Sequence, residues 1–453
     1  MTNRSDTNPD LREIPMTREI RSDSGVWMRG LAGGRRAVVA LAVLAGAASC
    51  DSLDSALRVE APGVVDAEEM TKSENAHLLV SGTQSDFECA LGAYIVNSGL
   101  LGNELRDASI TSARFSLDSR TITETSGYGT NSCAGNPPGV YVPLATAIWS
   151  SNNALARLEG WTDAEVPNRT SLMAQSAAFS GYAHTLMAEG FCSTVITELG
   201  PEVQPAQVFE VAESRFTRAI ELATAAGNAD VRNLAQLGRA RVRLQRGDLP
   251  GAASDARAVL TAAPNFVRNA TASQAESRRW NRIGEEFRLG NSTVSPAYRT
   301  LTVGGIPDPR TASVNVGAGH NQPDTVWLAT KIGTVRGFDL RSVPIPIATW
   351  REAHLIIAEA EGGQEAVDRI NVLRQHHGLP LFQSTDDQVI RQQVIEERQR
   401  ELFLEGHHLG DLRRLNLPQL PAPGENYRQG GFYGDARCFP IPAVERVTNP
   451  NLS

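Results

Sequence analysis

Apolar and small residues recur every three to four positions through most of the first half of the chain. The stretches AHLLVSGTQSDFECALGAYIVNSGLL (76–101), ATAIWSSNNALARLE (145–159) and RTSLMAQSAAFSGYAHTLMAEGF (169–191) all carry this spacing, which predicts helices. The pattern is sharpest in NLAQLGRARVRLQRGDLPGAASDARAVLTAAP (233–264). Two helices fit there around a turn at Gly247-Asp248, Pro264 closes the second, and Ala240 and Ala252 sit where the two would cross. With 208–227 as the second half of the unit before it, this predicts tetratricopeptide-like hairpins of roughly 34 residues. One such hairpin cannot bury its apolar face alone, so neighbours are required.

Between 266 and 346 the pattern changes. Asn, Ser, Thr, Gly and Pro dominate, as in RLGNSTVSPAYRTLTVGGIPDPRTASVNVGAGHNQPD, and short strands joined by long loops are predicted. Helical spacing resumes at 347–361, 364–377 and 387–415, and 418–453 returns to loops. The expected fold is mainly α: a tetratricopeptide-like helical hairpin scaffold with a loop-rich, minor-β part. It would occupy 66–453, as an N-terminal helical part (66–265), a loop-rich insert (266–346) and a C-terminal part (347–453).

The segment EERQRELFLEGHHLGDLRR (396–414) is dense in charge and still threaded with leucine. On a helix over 390–415, Val394, Ile395, Leu402, Leu409 and Leu412 share a face with Arg398 and Glu405. A solvated helix would not interleave them so. The pattern predicts a buried or half-buried helix whose charges are paired. Glu401 stands three residues from Arg398, and Glu405 three from His408 if the helix runs through Gly406.

The N-terminal region has a different character. RGLAGGRR (29–36) is basic, AVVALAVLAGAA (37–48) is apolar and small, and Ser49-Cys50 follow. This is the layout of a secretory signal over 1–49, with Met28 as its expected start. The apolar run is too short to span a bilayer, which takes roughly 20 residues. Cys50 directly after small residues resembles a bacterial lipobox, so it is the expected lipidation site, with 50–65 as a polar tether. In an exported protein, Cys89, Cys133, Cys192 and Cys438 are expected in two disulfides, and spacing does not choose among the three pairings. A formal charge of −8, a pI near 5.6 and no basic stripe argue against a nucleic-acid partner.

The string E-R-x-R-E-L-x-x-E-G-H-x-x-x-D-L-x-R, carried by Glu397, Arg398, Glu401, Leu402, Glu405, Gly406, Asp411 and Arg414, resembles the C-terminal signature of the RagB/SusD family. His408 departs from it, since the family generally has Arg there, and this is expected to weaken one ion pair and make it pH-sensitive. IATWREAHLIIAEAEGGQEAVDRINVLRQHHGLP (347–380), FPIPAVERVTNPNL (439–452), DPR (308–310) and 327–331 resemble further family segments. The resemblance implies a SusD-like helical scaffold with a loop-rich, ligand-facing part. It implies a lipoprotein anchored at the outer membrane, facing the cell surface, that does no bond chemistry and uses no cofactor. Such a protein captures an oligosaccharide, or a peptide, and passes it into a SusC-like TonB-dependent barrel. Arg398, Glu401, Glu405, Asp411 and Arg414 would then be architecture. The competing function is a periplasmic tetratricopeptide scaffold in envelope assembly.

Sugar rings present apolar CH faces that stack on aromatic side chains. Trp149 and Trp350 lie in helical patterns and Trp327 in an apolar run, so all three are expected in the core. Tyr128, Trp280, Tyr298, Phe432 and Tyr433 are the loop-placed ligand candidates. Adjacent histidines (His376-His377, His407-His408) point in different directions on a helix, so no metal site is expected, and no hydrolase or phosphate-binding motif is present.

Overall fold

The computed structural model describes residues 69–109, 112–319 and 324–452. The expected export signal (1–49), Cys50 and the tether (50–65) lie outside the described residues. In chain order the elements are α1 (Ala76–Leu101), β1 (Leu105–Asp107), α2 (Ser112–Asp118), α3 (Tyr141–Gly160), α4 (Arg169–Gly190), α5 (Pro205–Ala225), α6 (Ala229–Arg246) and α7 (Leu249–Ala262). The insert holds β2 (Val267–Ala270), α8 (Arg282–Leu289), β3 (Ser292–Val294), β4 (Thr302–Val303), β5 (Ile306–Pro307), β6 (Ser313–Ala318), β7 (Thr325–Ala329) and β8 (Ile345–Thr349). Then come α9 (Trp350–Glu361), α10 (Gly363–His376), α11 (Asp387–Glu401), α12 (His408–Arg414) and α13 (Ala443–Thr448).

Two helices form the centre. Every residue from Phe87 to Leu101 in α1, and from Ser176 to Gly190 in α4, is buried. Both stretches are mostly Ala, Gly, Ser and apolar residues, so they reserve no face for water. The array then propagates by neighbours: α3 on α1, α4 on α3, α5 on α4, α6 on α5, α7 on α6, α9 on α7, with α10 and α11 against α9. The predicted hairpin is α6–α7, with Gly247 at φ 81° ending the first helix and Asp248 capping the second through the Gly251 amide (3.1 Å). Ala240 and Ala252 are fully buried.

The insert supplies two-stranded antiparallel pairs, β1–β3, β2–β8, β4–β5 and β6–β7. It also contains α8, where short strands and loops were predicted. Ile283 and Phe287, four residues apart, are buried there, Asn281 caps the start through the Gly284 amide, and Gly290 at φ 73° ends it. The helix expected from 347 starts instead at Trp350. Residues 345–349 pair with β2, and the Thr349 hydroxyl accepts the Glu352 amide to cap α9.

The continuous helix expected over 387–415 is broken. α11 stops at Glu401, Leu404 and Gly406 take positive φ (56° and 81°), and α12 begins at His408. Partners outside the helix replace the lost ladder. The Leu404 amide donates to the Glu104 carboxylate (2.9 Å), and Arg241 donates to the Gly406 carbonyl (3.1 Å). The disulfides are Cys89–Cys133, tying the 119–140 loop to α1, and Cys192–Cys438, tying the tail to the end of α4. Closing a loop between cysteines 246 residues apart removes much disorder from the unfolded chain. Beside that bond, Phe439 packs on Phe191 (5.3 Å) and Tyr128 (5.3 Å).

The α4–α5–α6 crossing depends on Phe216. A Cβ on Gly238 would lie 2.4 Å from its ring, and one on Gly181 2.7 Å. Gly to Ala inside a helix ordinarily stabilises by ~1 kcal/mol. Here overpacking outweighs propensity, so Gly238→Ala is expected to lower stability by about 1–3 kcal/mol in urea unfolding. A gain in stability would show that the crossing is looser than this.

Candidate functional site

Acids of the α11–α12 segment are clamped by cations from several other elements. Glu397 accepts from Arg374 (2.7 Å), Gln393 (3.0 Å) and Arg310. Glu401 accepts from Arg351 (2.9 Å) and His377 (3.0 Å), with Arg310 at 3.4 Å. Glu405 meets Lys331 (3.2 Å) and Arg351 (3.5 Å). Arg398 holds Asp411 through two hydrogen bonds (2.9 and 3.1 Å), and Arg414 bridges Asp411 and Glu359. The expected Arg398–Glu401 and Glu405–His408 pairs do not form: the helix break separates Glu405 from His408, while Arg398 and Glu401, both within α11, take Asp411 and Arg351 instead. Burial pushes the Glu401 carboxyl up, but the His377 hydrogen bond and the Arg310 and Arg351 charges outweigh it and hold it below the usual range. Burial likewise opposes ionisation of Asp411, and Arg398 and Arg414 prevail.

Two adjoining clefts lie in the loop layer, the first of them beside α11. The first, about 350 Å³, is lined by Gln392, Glu396, Gln399 and Arg400 of α11, by Arg120 and Gln419, and by the apolar Leu301, Leu412 and Leu420. The second, about 450 Å³, is lined by Arg106, Thr293, Arg299, Asp324, Asn426, Arg428 and Tyr433. The 296–298 turn and the Leu420-Pro421 pair contribute to both walls. Arg120 fixes that partition: its Nε donates to the Gly434 carbonyl (3.0 Å), a terminal nitrogen donates to the Pro421 carbonyl, and its guanidinium lies 4.8 Å from the Tyr433 ring. Each cleft has one lining carboxylate and each is taken, Glu396 by Arg400 and Asp324 by Arg428. Among the described residues no group of three or more His, Cys, Asp or Glu is placed to hold a metal.

A model of the SusD family matches residues 352–453, the stretch that carries the clamped acids. Over that stretch the chain is similar to the SusD family. Solved structures agree on the fold. A SusD superfamily protein from Bacteroides vulgatus superposes with a TM-score of 0.67 at 16% identity, covering 84% of this chain and 98% of that one. A SusD-like carbohydrate binding protein from Bacteroides vulgatus gives 0.63 at 15%, covering 84% and 97%. A laminarin binding SusD-like protein gives 0.59 at 16%, covering 84% and 98%. No curated protein matches the chain in sequence.

Within this SusD-like fold the predicted aromatics scatter. Phe432 is 62% exposed and pairs with Asn426 of the second cleft. Tyr433 is buried, with its ring covered by Arg106 and Arg120. Tyr298 is buried and stacked on Phe403 (4.6 Å), forming the floor of the first cleft. Trp280 is half-buried, with the Arg341 guanidinium 3.3 Å from its ring centre. Tyr128 is buried and donates to the Pro440 carbonyl (2.8 Å), so it packs the tail. Trp149, expected in the core, is 61% exposed, because it lies on the outer face of α3 with Val142 and Thr146. Its polar helical neighbours Thr146 and Asn153 were the available signal. The clefts' arginines and glutamines, scattered over 106–428, carried none.

His408 sits where a charge-bearing partner was expected. Burial pushes its pKa down to about 4, so it is neutral near pH 7 and lies edge-on to Tyr298 (6.2 Å). Asp411 does without it. One acid with a titration near neutrality is Glu104, raised to about 7 by burial. An acid raised in the folded state takes up a proton on folding between its unfolded value, roughly 4.3, and about 7. Its contribution to stability therefore falls as pH rises through that window. Glu104→Gln removes the titration, so the variant should gain on the parent by on the order of 2–3 kcal/mol between pH 4.5 and 8. Parallel urea titrations at both pH values would read this, and an unchanged difference would place the Glu104 titration elsewhere.

Proposed function

We propose that this chain captures a saccharide without altering it and passes it to a SusC-like TonB-dependent outer-membrane barrel. The observation that carries the reading is the pair of adjoining clefts, lined by amide and guanidinium donors, with the exposed Phe432 on the loop that supplies Asn426 and Tyr433 to the second. Amides and guanidinium groups match sugar hydroxyls, while an exposed ring and leucines match CH faces. Glycoside hydrolysis needs two carboxylates free to act across one bond. Here the lining acids and the buried acids of α11–α12 are already paired with cations. The names of the carbohydrate- and laminarin-binding relatives support a glycan over a peptide. The signal-like 1–49 segment and Cys50 support export and lipid anchoring. Among the described residues no helix is long and apolar enough to cross a membrane.

Affinity purification of tagged chain from detergent-solubilised outer membranes is expected to recover a large barrel in stoichiometric amount. Recovery with periplasmic assembly factors instead would favour the scaffold reading. In calorimetry against an oligosaccharide panel, Phe432→Ala should weaken capture about three- to tenfold, and Trp149→Ala should not. The reverse result would move the platform to the outer face of α3.

A further inference from the structure

The second cleft is lined by three arginines, Arg106, Arg299 and Arg428, and by one carboxylate, Asp324. Arg106 and Arg428 share Asp118 behind the wall (3.4 and 3.8 Å), and Arg428 also pairs with Asp324. Arg299 has no carboxylate partner among the described residues. Its Nε donates to the Val294 carbonyl (2.8 Å), one terminal nitrogen reaches the Thr293 hydroxyl (3.4 Å), and its face lies over Trp327 (5.3 Å). Burial first, then the neighbouring charges of Arg106 and Arg428, lower its pKa. Asp118 and Asp107 stand behind the wall. Burial raises both, and Asp107 reaches about 6 with Asp118 beside it. The Arg106 Nε is buried and has no hydrogen-bond acceptor. Around these groups stand Thr293, Thr325 and Asn426, which supply neutral polar contacts.

We infer that this cleft recognises a carboxylate on the captured molecule, received by Arg299 with Arg106 and Arg428 beside it. A guanidinium offers parallel donors that match the two oxygens of a carboxylate, and a cleft with surplus cations favours an anion over a neutral sugar. The inference rests on the capture reading above and narrows it to acidic ligands. A carboxylate comes from a uronic acid unit of an oligosaccharide or from the C-terminus of a peptide. The two share the chemistry and differ in everything around it.

Ligand-observed NMR on the full chain separates these cases. The probes are glucuronate and galacturonate against glucose and galactose, N-acetyl-alanine against its amide, and neutral laminari-oligosaccharides. A carboxylated probe is expected to bind at least several-fold better than its neutral counterpart and to weaken with added salt. Arg299→Gln should cost roughly tenfold in that binding, the size of one charge-assisted hydrogen bond. Asn426 is exposed, so Asn426→Asp leaves the fold intact and places a repelling charge in the cleft, with a loss of several-fold expected. Preference for the uronates assigns the carboxylate to a glycan, and preference for the acyl-alanine assigns it to a peptide. Equal binding of acids and neutral counterparts, or carboxylate binding unchanged in both variants, overturns the inference. Neutral oligosaccharides binding equally to parent and Arg299→Gln, with no preference for acids, would leave capture standing and remove the anion. Binding of no probe at all would sink both.

Discussion

Glu397, Glu401 and Asp411 are buried anions, and a buried anion persists only if cations are brought to it. That requirement organises the C-terminal half. Arg310, from the DPR stretch of the insert, reaches Glu397 and Glu401 together and also holds Asp308 (2.8 Å). Arg374 comes from α10 and Arg351 from α9. Removing one partner from such a cluster leaves an uncompensated charge, which costs about 3–5 kcal/mol. The insert, α9, α10 and α11 are thus held in one register by the same acids. Sequence segments far apart in the chain, DPR and the α11–α12 string, are two sides of one set of ion pairs.

The clefts inherit their shape from this cluster. Arg400 turns from Asp308 (3.1 Å) to the Thr302 carbonyl (3.0 Å), so the β4–β5 hairpin and the wall of the first cleft stand on the ion pairs themselves. Glu104 links the same segment to α1, since its carboxylate takes the Leu404 amide and its carbonyl takes the Ser295 amide (2.9 Å). The far wall is the tail loop, clipped by Arg120 and anchored at Cys438. A rigid helical frame and a clamped loop layer together give a site that is formed before a ligand arrives. Preformed polar groups bind without first paying an ordering cost.

The chain's helices were legible wherever one face repeats, as in the α6–α7 hairpin, and so was the buried or half-buried, paired state of the charges of 396–414. What the spacing hid was the break at Leu404 and Gly406. Leu402, Leu409 and Leu412 keep helical spacing across it, and all three are buried, so apolar periodicity reads straight through. The break depends on Glu104 and Arg241, residues 300 and 165 positions away from their acceptor or donor groups, which no local pattern contains. Tyr128 misled for a similar reason: its neighbours are turn residues, but Phe191 and the tail residues Phe439 and Pro440 pack on it. Of the candidate site, Phe432 was visible as an aromatic in a glycine-rich loop. The arginine set of the second cleft was not, because Arg106, Arg299 and Arg428 meet only after folding.

Titratable groups buried in the fold pull in opposite directions. Glu104 and Glu352 are raised to about 7 by burial, so their contribution declines as pH rises from roughly 4.3. His184, His354 and His408 are lowered to about 4, and His407 is lowered well below its ordinary value, in each case chiefly by burial. A histidine kept neutral in the fold costs stability as pH falls below its unfolded value of roughly 6.5. Its contribution therefore rises with pH over much of the window in which the two glutamates lose theirs. The opposed slopes partly cancel between pH 4.5 and 6.5. Arginine-held carboxylates such as Glu401 and Asp411 lose their contribution only below the ordinary carboxylate range. Burying neutral histidines along with raised acids, with guanidinium groups on the acids that must stay charged, thus offsets the loss the raised glutamates would bring toward neutral pH. A lock built from carboxylates with raised pKa values alone would instead weaken steadily toward neutral pH.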